Sequence, residues 1–351
     1  MTIPQPERTD PMRTHARKLA RFLSPLVAAC GLGLALTMPA RADDHVNFGT
    51  DWLAEAEYGG YYQAVAAGIY HKHGLDVTIH QGGPSVNQTQ LLLAGRLDVN
   101  IASNSFIAFN FVKEKIPFRA VAAMFQKDEA VLIAHPGQGN DSFAALKGKP
   151  IMISTDTRAG WWNFLRAKFG YSDSQIRPYN YNSAPFLADK SAVQQGLLGS
   201  EPFSIEQEAH FQPVVMMVAD AGFSGYAQLF AASDKMIQDK PDLVQRFVDA
   251  SIEGWYSYLF SDPAPGNAAI KKDNPEMTDA LIAYGRKAMI EHGVLDSGDA
   301  ANVGIGAMTD ARWASFLASM ADVGLFPRDL DVKRAYTLQF VDKKVGMDMK
   351  H

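Results

Sequence analysis

Cysteine is nearly missing: the 351 residues hold one, Cys30. An excess of positive charge is missing too, since 33 Lys and Arg face 38 Asp and Glu for a net charge of −5, and a nucleic-acid-binding surface needs the opposite balance. Long apolar runs are lacking. The one extended stretch, 22–38, is interrupted by Ser24, Pro25 and several glycines and falls short of the ~20 apolar residues of a span, which excludes a multi-span membrane protein. There is no internal repeat and no low-complexity tract. What remains is an ordinary globular composition, 47% hydrophobic and 11% aromatic, which excludes disorder and collagen-like structure. At roughly 100–200 residues per domain, the length predicts two domains.

The N-terminus has three zones: Arg13, Arg17, Lys18 and Arg21; the apolar stretch; then Ala40-Arg41-Ala42. This is the pattern of a secretory signal peptide spanning 1–42, and it predicts a periplasmic location. A rival fate is lipid anchoring, because Val27-Ala28-Ala29-Cys30 resembles a bacterial lipoprotein box. Cleavage after Ala42 leaves a mature chain with no cysteine, and therefore no disulfide, cysteine metal ligand or thiol nucleophile. It also leaves 27 Lys and Arg against 36 Asp and Glu, a net of −9.

From residue 46 short β-branched runs alternate with helical ones. Strands are expected at 46–50, 75–80, 97–102 and 118–124, with helices at 61–73, 86–94 and 105–113 between them. Such alternation argues for a parallel sheet covered by helices, with ligands gathering at the carboxyl ends of its strands. A strand at 130–135 and a short helix at 143–147 precede a second series, with strands at 150–154, 176–181, 195–198 and 214–218 and helices at 159–169, 185–189 and 203–210. After residue 234 the chain reads as mostly helical, with apolar residues at helical spacing in 241–259, 264–271, 277–292 and 311–323. The terminal 343–351 stretch reads as a frayed tail. The expectation is an α/β protein of two lobes, 43–127 plus about 222–351 and 128–221, linked by two crossings near 126–130 and 220–228. Two crossings make a hinge, and the cleft between hinged lobes is the place for a small ligand.

The run Trp52-Leu-Ala-Glu-Ala-Glu-Tyr-Gly-Gly-Tyr-Tyr-Gln-Ala, followed in order by Ala67-Gly68-Ile-Tyr70, His73-Gly74-Leu75-Asp76-Val77 and Gly82-Gly83-Pro84, resembles the NMT1/THI5-like (SsuA-type) substrate-binding proteins of ABC importers. Further matches are Leu93-Ala-Gly-Arg-Leu-Asp98, Phe125-Gln-Lys-Asp128, Leu146-Lys-Gly-Lys149 and Val193-Gln-Gln-Gly-Leu-Leu-Gly-Ser-Glu-Pro202, so that the similarity spans about 46–260. The resemblance implies a two-lobe periplasmic-binding-protein type II fold with a helical C-terminal region. It also implies a monomer that hands a captured small molecule to permease and ATPase subunits in the inner membrane, without catalysis, cofactor or nucleic acid. The superfamily includes pyrimidine synthases for thiamin, in which a lysine forms a Schiff base with pyridoxal phosphate. Here that position is Ala102, the companion histidine position is Phe106, and the synthases' cysteine-rich stretch has no counterpart. A Schiff base needs an amine, so the enzyme reading is disfavoured.

Five stretches are candidates for the cleft. Around Gly59-Gly60 stand Trp52, Glu57, Tyr58 and Tyr61, whose rings offer flat apolar walls while the glycines permit close backbone approach. Gly83 lies in a Gly-Gly-Pro-Ser turn read as opening a helix, the geometry of an anion-accepting terminus. Ser103 and Asn104 offer polar groups at a strand end, or cap the next helix. In the second lobe Thr157 and Arg158 precede Trp161-Trp162, of which one faces the ligand and spacing does not say which; Glu201 sits where a strand meets a helix. Carboxylates and aromatics outnumber the single cation, Arg158. That balance favours a neutral or amino-bearing nitrogen heterocycle, such as a thiamin-precursor pyrimidine, over a nitrate-, sulfonate- or taurine-type anion. A zinc site at His71, His73 and His80 is not expected, because the first two point to different faces of a helix end.

Overall fold

The computed structural model describes residues 42–350. The expected leader lies outside the described residues apart from Ala42, and so does Cys30. In chain order the strands are β1 (Asp44–Gly49), β2 (Leu75–His80), β3 (Val99–Asn104), β4 (Phe118–Phe125), β5 (Ala130–Ala134), β6 (Ile151–Ile153), β7 (Ile176–Pro178), β8 (Val193–Leu197), β9 (Val214–Met217) and β10 (Ala227–Ser233). They form two five-stranded sheets, ordered β2-β1-β3-β10-β4 and β7-β6-β8-β5-β9. The chain passes from the first sheet to the second through 126–129 and returns through 218–226.

Neither sheet is purely parallel, which corrects the sequence-based expectation. β10 runs antiparallel to both β3 and β4, and β5 runs antiparallel to both β8 and β9. Each odd strand is the one the chain lays down on crossing between sheets, so it enters from the opposite end. β10 was not foreseen at all. Its Ala-Gln-Leu-Phe-Ala-Ala-Ser sequence has little β propensity, but all its residues except Ser233 are buried, between two antiparallel neighbours.

The first sheet packs against the long helix Pro241–Phe260 through a cluster of rings. Phe48 meets Tyr61, Phe230 and Phe247 at centroid distances of 5.1, 5.5 and 5.1 Å. The expected 61–73 helix is two, Gly59–Ala66 and Ile69–Lys72, because Gly68 between them takes a left-handed φ of 68°. Gly60 fits the long helix closely: a Cβ there would lie 2.3 Å from the Trp255 ring and 2.8 Å from its Cα. The Gly59-Gly60 pair therefore serves helix packing rather than backbone approach to a ligand.

The apolar strand β4 is an edge strand that later chain covers. Ala120 N–H donates to Ala335 O (2.9 Å), Thr337 N–H donates to Ala120 O (2.9 Å), and Ala123 N–H donates to Gly306 O (3.1 Å). The C-terminal segment is not frayed: Met347 and Met349 pack on the core and Lys350 Nζ reaches Asp296 at 2.7 Å. Arg312 ties the two crossings together. It donates to Gln126 Oε1 (3.0 Å) and the Gln126 carbonyl in one, and to Ser224 O (3.1 Å) in the other, with its guanidinium 4.2 Å from the Tyr226 ring centre. Among the described residues no helix is long and apolar enough to cross a membrane.

Candidate functional site

The strand directions decide where the site can be. β1, β2, β3 and β4 end on one edge of the first sheet. In the second sheet β8 ends beside the start of β5, where Leu197 pairs with Ala130 just beyond the first crossing. The carboxyl ends of both sheets thus face the crossing residues 126–129, the arrangement that gathers ligand-binding groups in α/β folds.

Six carboxylates converge there. Asp51 follows β1, Glu55 and Glu57 belong to the turn leading into helix Gly59–Ala66, Asp128 and Glu129 form the first crossing, and Glu201 opens helix Glu201–Ala209 after β8. Asp51 accepts from Tyr58 Oη (2.8 Å) and Ser103 Oγ (2.5 Å). Asp128 accepts from Asn104 Nδ2 (3.0 Å) and Ala130 N–H (3.0 Å). Glu201 accepts from Tyr179 Oη (3.0 Å) and Leu197 N–H (2.8 Å). Glu57 and Glu129 are 2% and 7% exposed, yet Glu57 Oε1 and Glu129 Oε2 have no hydrogen-bond partner.

Burial without a counter-charge raises every one of these acids. It lifts Asp51, Asp128 and Glu201 above the ordinary carboxylate range, against the pull of their hydrogen bonds. Glu57 is pushed up to about 7, by burial first, with its own backbone hydrogen bond opposing and Glu201 adding to the rise. Glu55 and Glu129 go well above the usual range, burial leading and the neighbouring carboxylates reinforcing it. The cluster is held closed from the second-sheet side: a Cβ on Gly199 would lie 2.1 Å from Glu57 Oε1. Across the same opening Trp52, from the first sheet's edge, meets Tyr181, from beyond β7, at 4.7 Å between ring centres, and Tyr179 lies 5.4 Å from Tyr181.

The sequence-based candidates separate under this geometry. Trp52, Glu57, Tyr58, Ser103, Asn104 and Glu201 come together. Tyr61 does not line the cleft: it is fully buried between Phe48, Phe230 and Trp255, and its hydroxyl donates to Gln228 Oε1 (2.9 Å). Gly83 does not open a helix. Helix Gln88–Leu93 starts later, capped by Asn87, and the neighbouring Gly82 N–H already donates to Trp52 O (3.1 Å), so no anion-accepting terminus exists there. Ser103 and Asn104 bind acids instead of capping. Thr157 donates its backbone N–H to Ser154 Oγ (3.3 Å) in the short helix Thr155–Ala159. Arg158 is exposed and tied to Asp173 at 3.2 Å, which removes the one cation from the reckoning. Trp162 is core, with Nε1 donating to the same Asp173 (3.0 Å), whereas Trp161 keeps 7% of its surface exposed at the start of its helix. His71, His73 and His80 are held apart by Asp43, Glu253 and Asn47. Among the described residues no three His, Cys, Asp or Glu are grouped to hold a metal ion.

Asp51, Glu55, Asp128 and Glu129 are not among the sequence-based site residues. Asp128 closes the Phe125-Gln-Lys-Asp128 match and Glu129 follows it, in the crossing expected near 126–130, but neither signal marks a carboxylate as a site residue.

Known proteins share this architecture. The riboflavin-binding protein RibY of Chloroflexus aurantiacus is 22% identical over 303 residues, covering 84% of this chain and 86% of its own. The periplasmic aliphatic sulphonate binding protein SsuA of Escherichia coli superposes with a TM-score of 0.62 at 11% identity, covering 84% of this chain and 92% of its own. The desulfurization enzyme DSZB shares the fold at a TM-score of 0.52 and 11% identity, covering 88% and 99%. These likenesses establish the periplasmic-binding-protein fold. A family model described as NMT1/THI5 like matches residues 55–265, more than half of the sequence, and the chain belongs to the NMT1/THI5-like family.

Proposed function

We propose that the chain is the periplasmic solute-binding component of an ABC importer, closing two lobes (43–127 with about 222–351, and 128–221) on a small organic ligand that permease and ATPase subunits then take up. The observation that carries the reading is the convergence of strand ends from both sheets on one hinge, with side chains of both meeting across it. Closure then follows from differential affinity: a ligand touching both sheets binds the closed form more tightly than the open one. No step of chemistry is needed. The positions that would hold a Schiff-base lysine and its histidine are Ala102, buried in β3, and Phe106, buried in helix Ser105–Lys113.

The finer reading is a nitrogen heterocycle, a thiamin-precursor pyrimidine among them. The Trp52–Tyr181 pair, tilted at 45°, supplies an aromatic edge for a ring to pack on, and the relative RibY is named for a ring-shaped ligand. A nitrate- or sulfonate-type anion would meet six carboxyl groups and, among the described residues of the cleft, no unpaired cation to neutralise it, and each of those carboxyls opposes binding once it ionises. A thermal-shift screen of pyrimidines, flavins, nucleobases, aromatic acids, sulfonates and nitrate tests both levels. A ligand at about 100 times its dissociation constant stabilises by roughly 2.7 kcal/mol, which raises Tm by several degrees. A shift with a heterocycle is expected. Shifts confined to sulfonates or nitrate would retain the importer reading and overturn the ligand class.

A further inference from the structure

Resting on the solute-receptor reading, we infer that the ligand is a cation: an organic ammonium or amidinium whose charge is received by Glu57 and Glu129 while its ring lies toward Trp52 and Tyr181. Three observations support this beyond the acidity of the cluster. The first is that Glu57 and Glu129 are each more than nine-tenths buried, and one oxygen of each has no partner. Buried acceptors left unpaired are costly, and Glu57 Oε1 lies against Gly199 of the second sheet, where the two lobes meet beside Glu129, so a donor that carries charge and enters between the lobes would match them. The second is division of labour within the cluster. Asp51, Asp128 and Glu201 are each satisfied by two protein donors, so they shape the walls, whereas Glu57 and Glu129 keep free acceptor capacity. The third is that, among the described residues, no hydrogen bond or ion pair joins a cation to Glu57 or Glu129: the two nearby cations are spent on carbonyls, Arg286 on Tyr258 O (2.7 Å) and Leu259 O, and Lys127 on His292 O (2.8 Å). The charges that act most on Glu129 are the acids Glu57, Asp128, Glu55 and Asp51, while Glu57 is flanked by Glu201 and by the buried, unpartnered hydroxyl of Tyr258, which also feels Arg286.

A metal ion is the competing cation. Among the described residues no three acidic or histidine side chains are grouped to ligate one, while aromatic rings at the cleft edge suit an organic cation. Acidification protonates the two receiving carboxylates and removes the charge that the ligand needs, so binding tightens as pH rises and weakens as it falls.

The test compares three molecules with one ring: an aminomethyl-pyrimidine, charged near neutrality, the hydroxymethyl-pyrimidine, and the pyrimidine carboxylate. Calorimetric titration of the protein at about pH 5.5 and about pH 7.5 reads affinity for each. The aminomethyl compound is expected to bind about tenfold or more tightly than the hydroxymethyl one at the higher pH, to lose most of that advantage at the lower, and to lose it in both Glu57→Gln and Glu129→Gln. Asp173→Asn, outside the cleft, is the control variant and is expected to bind as the parent does. Equal or tighter binding of the neutral or anionic compound overturns the cation assignment and leaves the receptor reading standing. Binding of none of the three, by protein that still melts cooperatively, overturns the cation assignment, and overturns the receptor reading as well where no compound of the thermal-shift screen raises Tm.

Discussion

Replacing Glu57 by glutamine removes a charge that the closed cleft has to bury. The Glu57 carboxyl, pushed from 4.5 to about 7, sits 2% exposed with one oxygen unpaired. A carboxyl whose value is raised in the closed form opposes that form once it ionises: the penalty begins as pH rises above 4.5, is complete above 7, and is absent in acid. At 1.36 kcal/mol per tenfold, the full penalty is roughly 3 kcal/mol, or about 300-fold in the closing equilibrium of the empty protein. The second lobe covers Glu57 Oε1 through Gly199, so opening the lobes is expected to return that oxygen to water and the penalty to appear as opening rather than as unfolding. Small-angle scattering, or a distance measured between labels on the two lobes, reports it directly. The empty wild-type protein is expected to be more closed at about pH 5 than at about pH 8, and Glu57→Gln to be more closed than wild type at the higher pH and little different at the lower. A closed fraction that ignores pH in the wild type, or a Glu57→Gln variant that opens further at about pH 8, would refute the reasoning.

Other changes separate wall, hinge and closure. Trp52→Ala removes one half of the aromatic pair with Tyr181 and is expected to weaken ligand binding about tenfold, read by calorimetry, with Tm nearly unchanged because Trp52 is only partly buried. Gly199→Ala places a Cβ 2.1 Å from Glu57 Oε1 and 3.1 Å from Gly285 Cα, so it should hold the lobes apart and weaken binding, visible as a larger radius of gyration in the presence of ligand. Arg312→Met leaves carbonyls of both crossings without their donor. A loss of roughly 2–4 kcal/mol and a Tm lowered by several degrees are expected on thermal melting, against about 0.5 kcal/mol for an ordinary surface change.

Much of the fold was legible in sequence because its helices and outer strands are local. β2 and helix Ser105–Lys113 fall where their apolar spacing puts them, and the crossing after β4 follows from the chain's change of rhythm there. β10 escaped because its place is fixed by two distant neighbours and not by its own residues. The site was half legible for the same reason. Trp52, Glu57 and Glu201 stand beside turns or helix starts, which spacing reveals. Tyr61 looked equivalent to Tyr58, three residues away on the same turn, until the packing of Phe230 and Trp255 set its direction. The like-charge crowding of Glu55, Glu57, Glu129 and Glu201 joins three segments far apart in sequence, and no local pattern announces it.

The central claim is that a solute is held between the two sheets at the crossing, and a crystal structure of the protein with the strongest ligand from the thermal-shift screen tests it most directly. The account predicts the ligand against the Trp52 and Tyr181 rings with its polar end toward Glu57 and Glu129, and the lobes closed on it. A ligand found instead in the open hollow lined by Leu198, Met216, Tyr284 and His292, with the carboxylate cluster untouched, would contradict it.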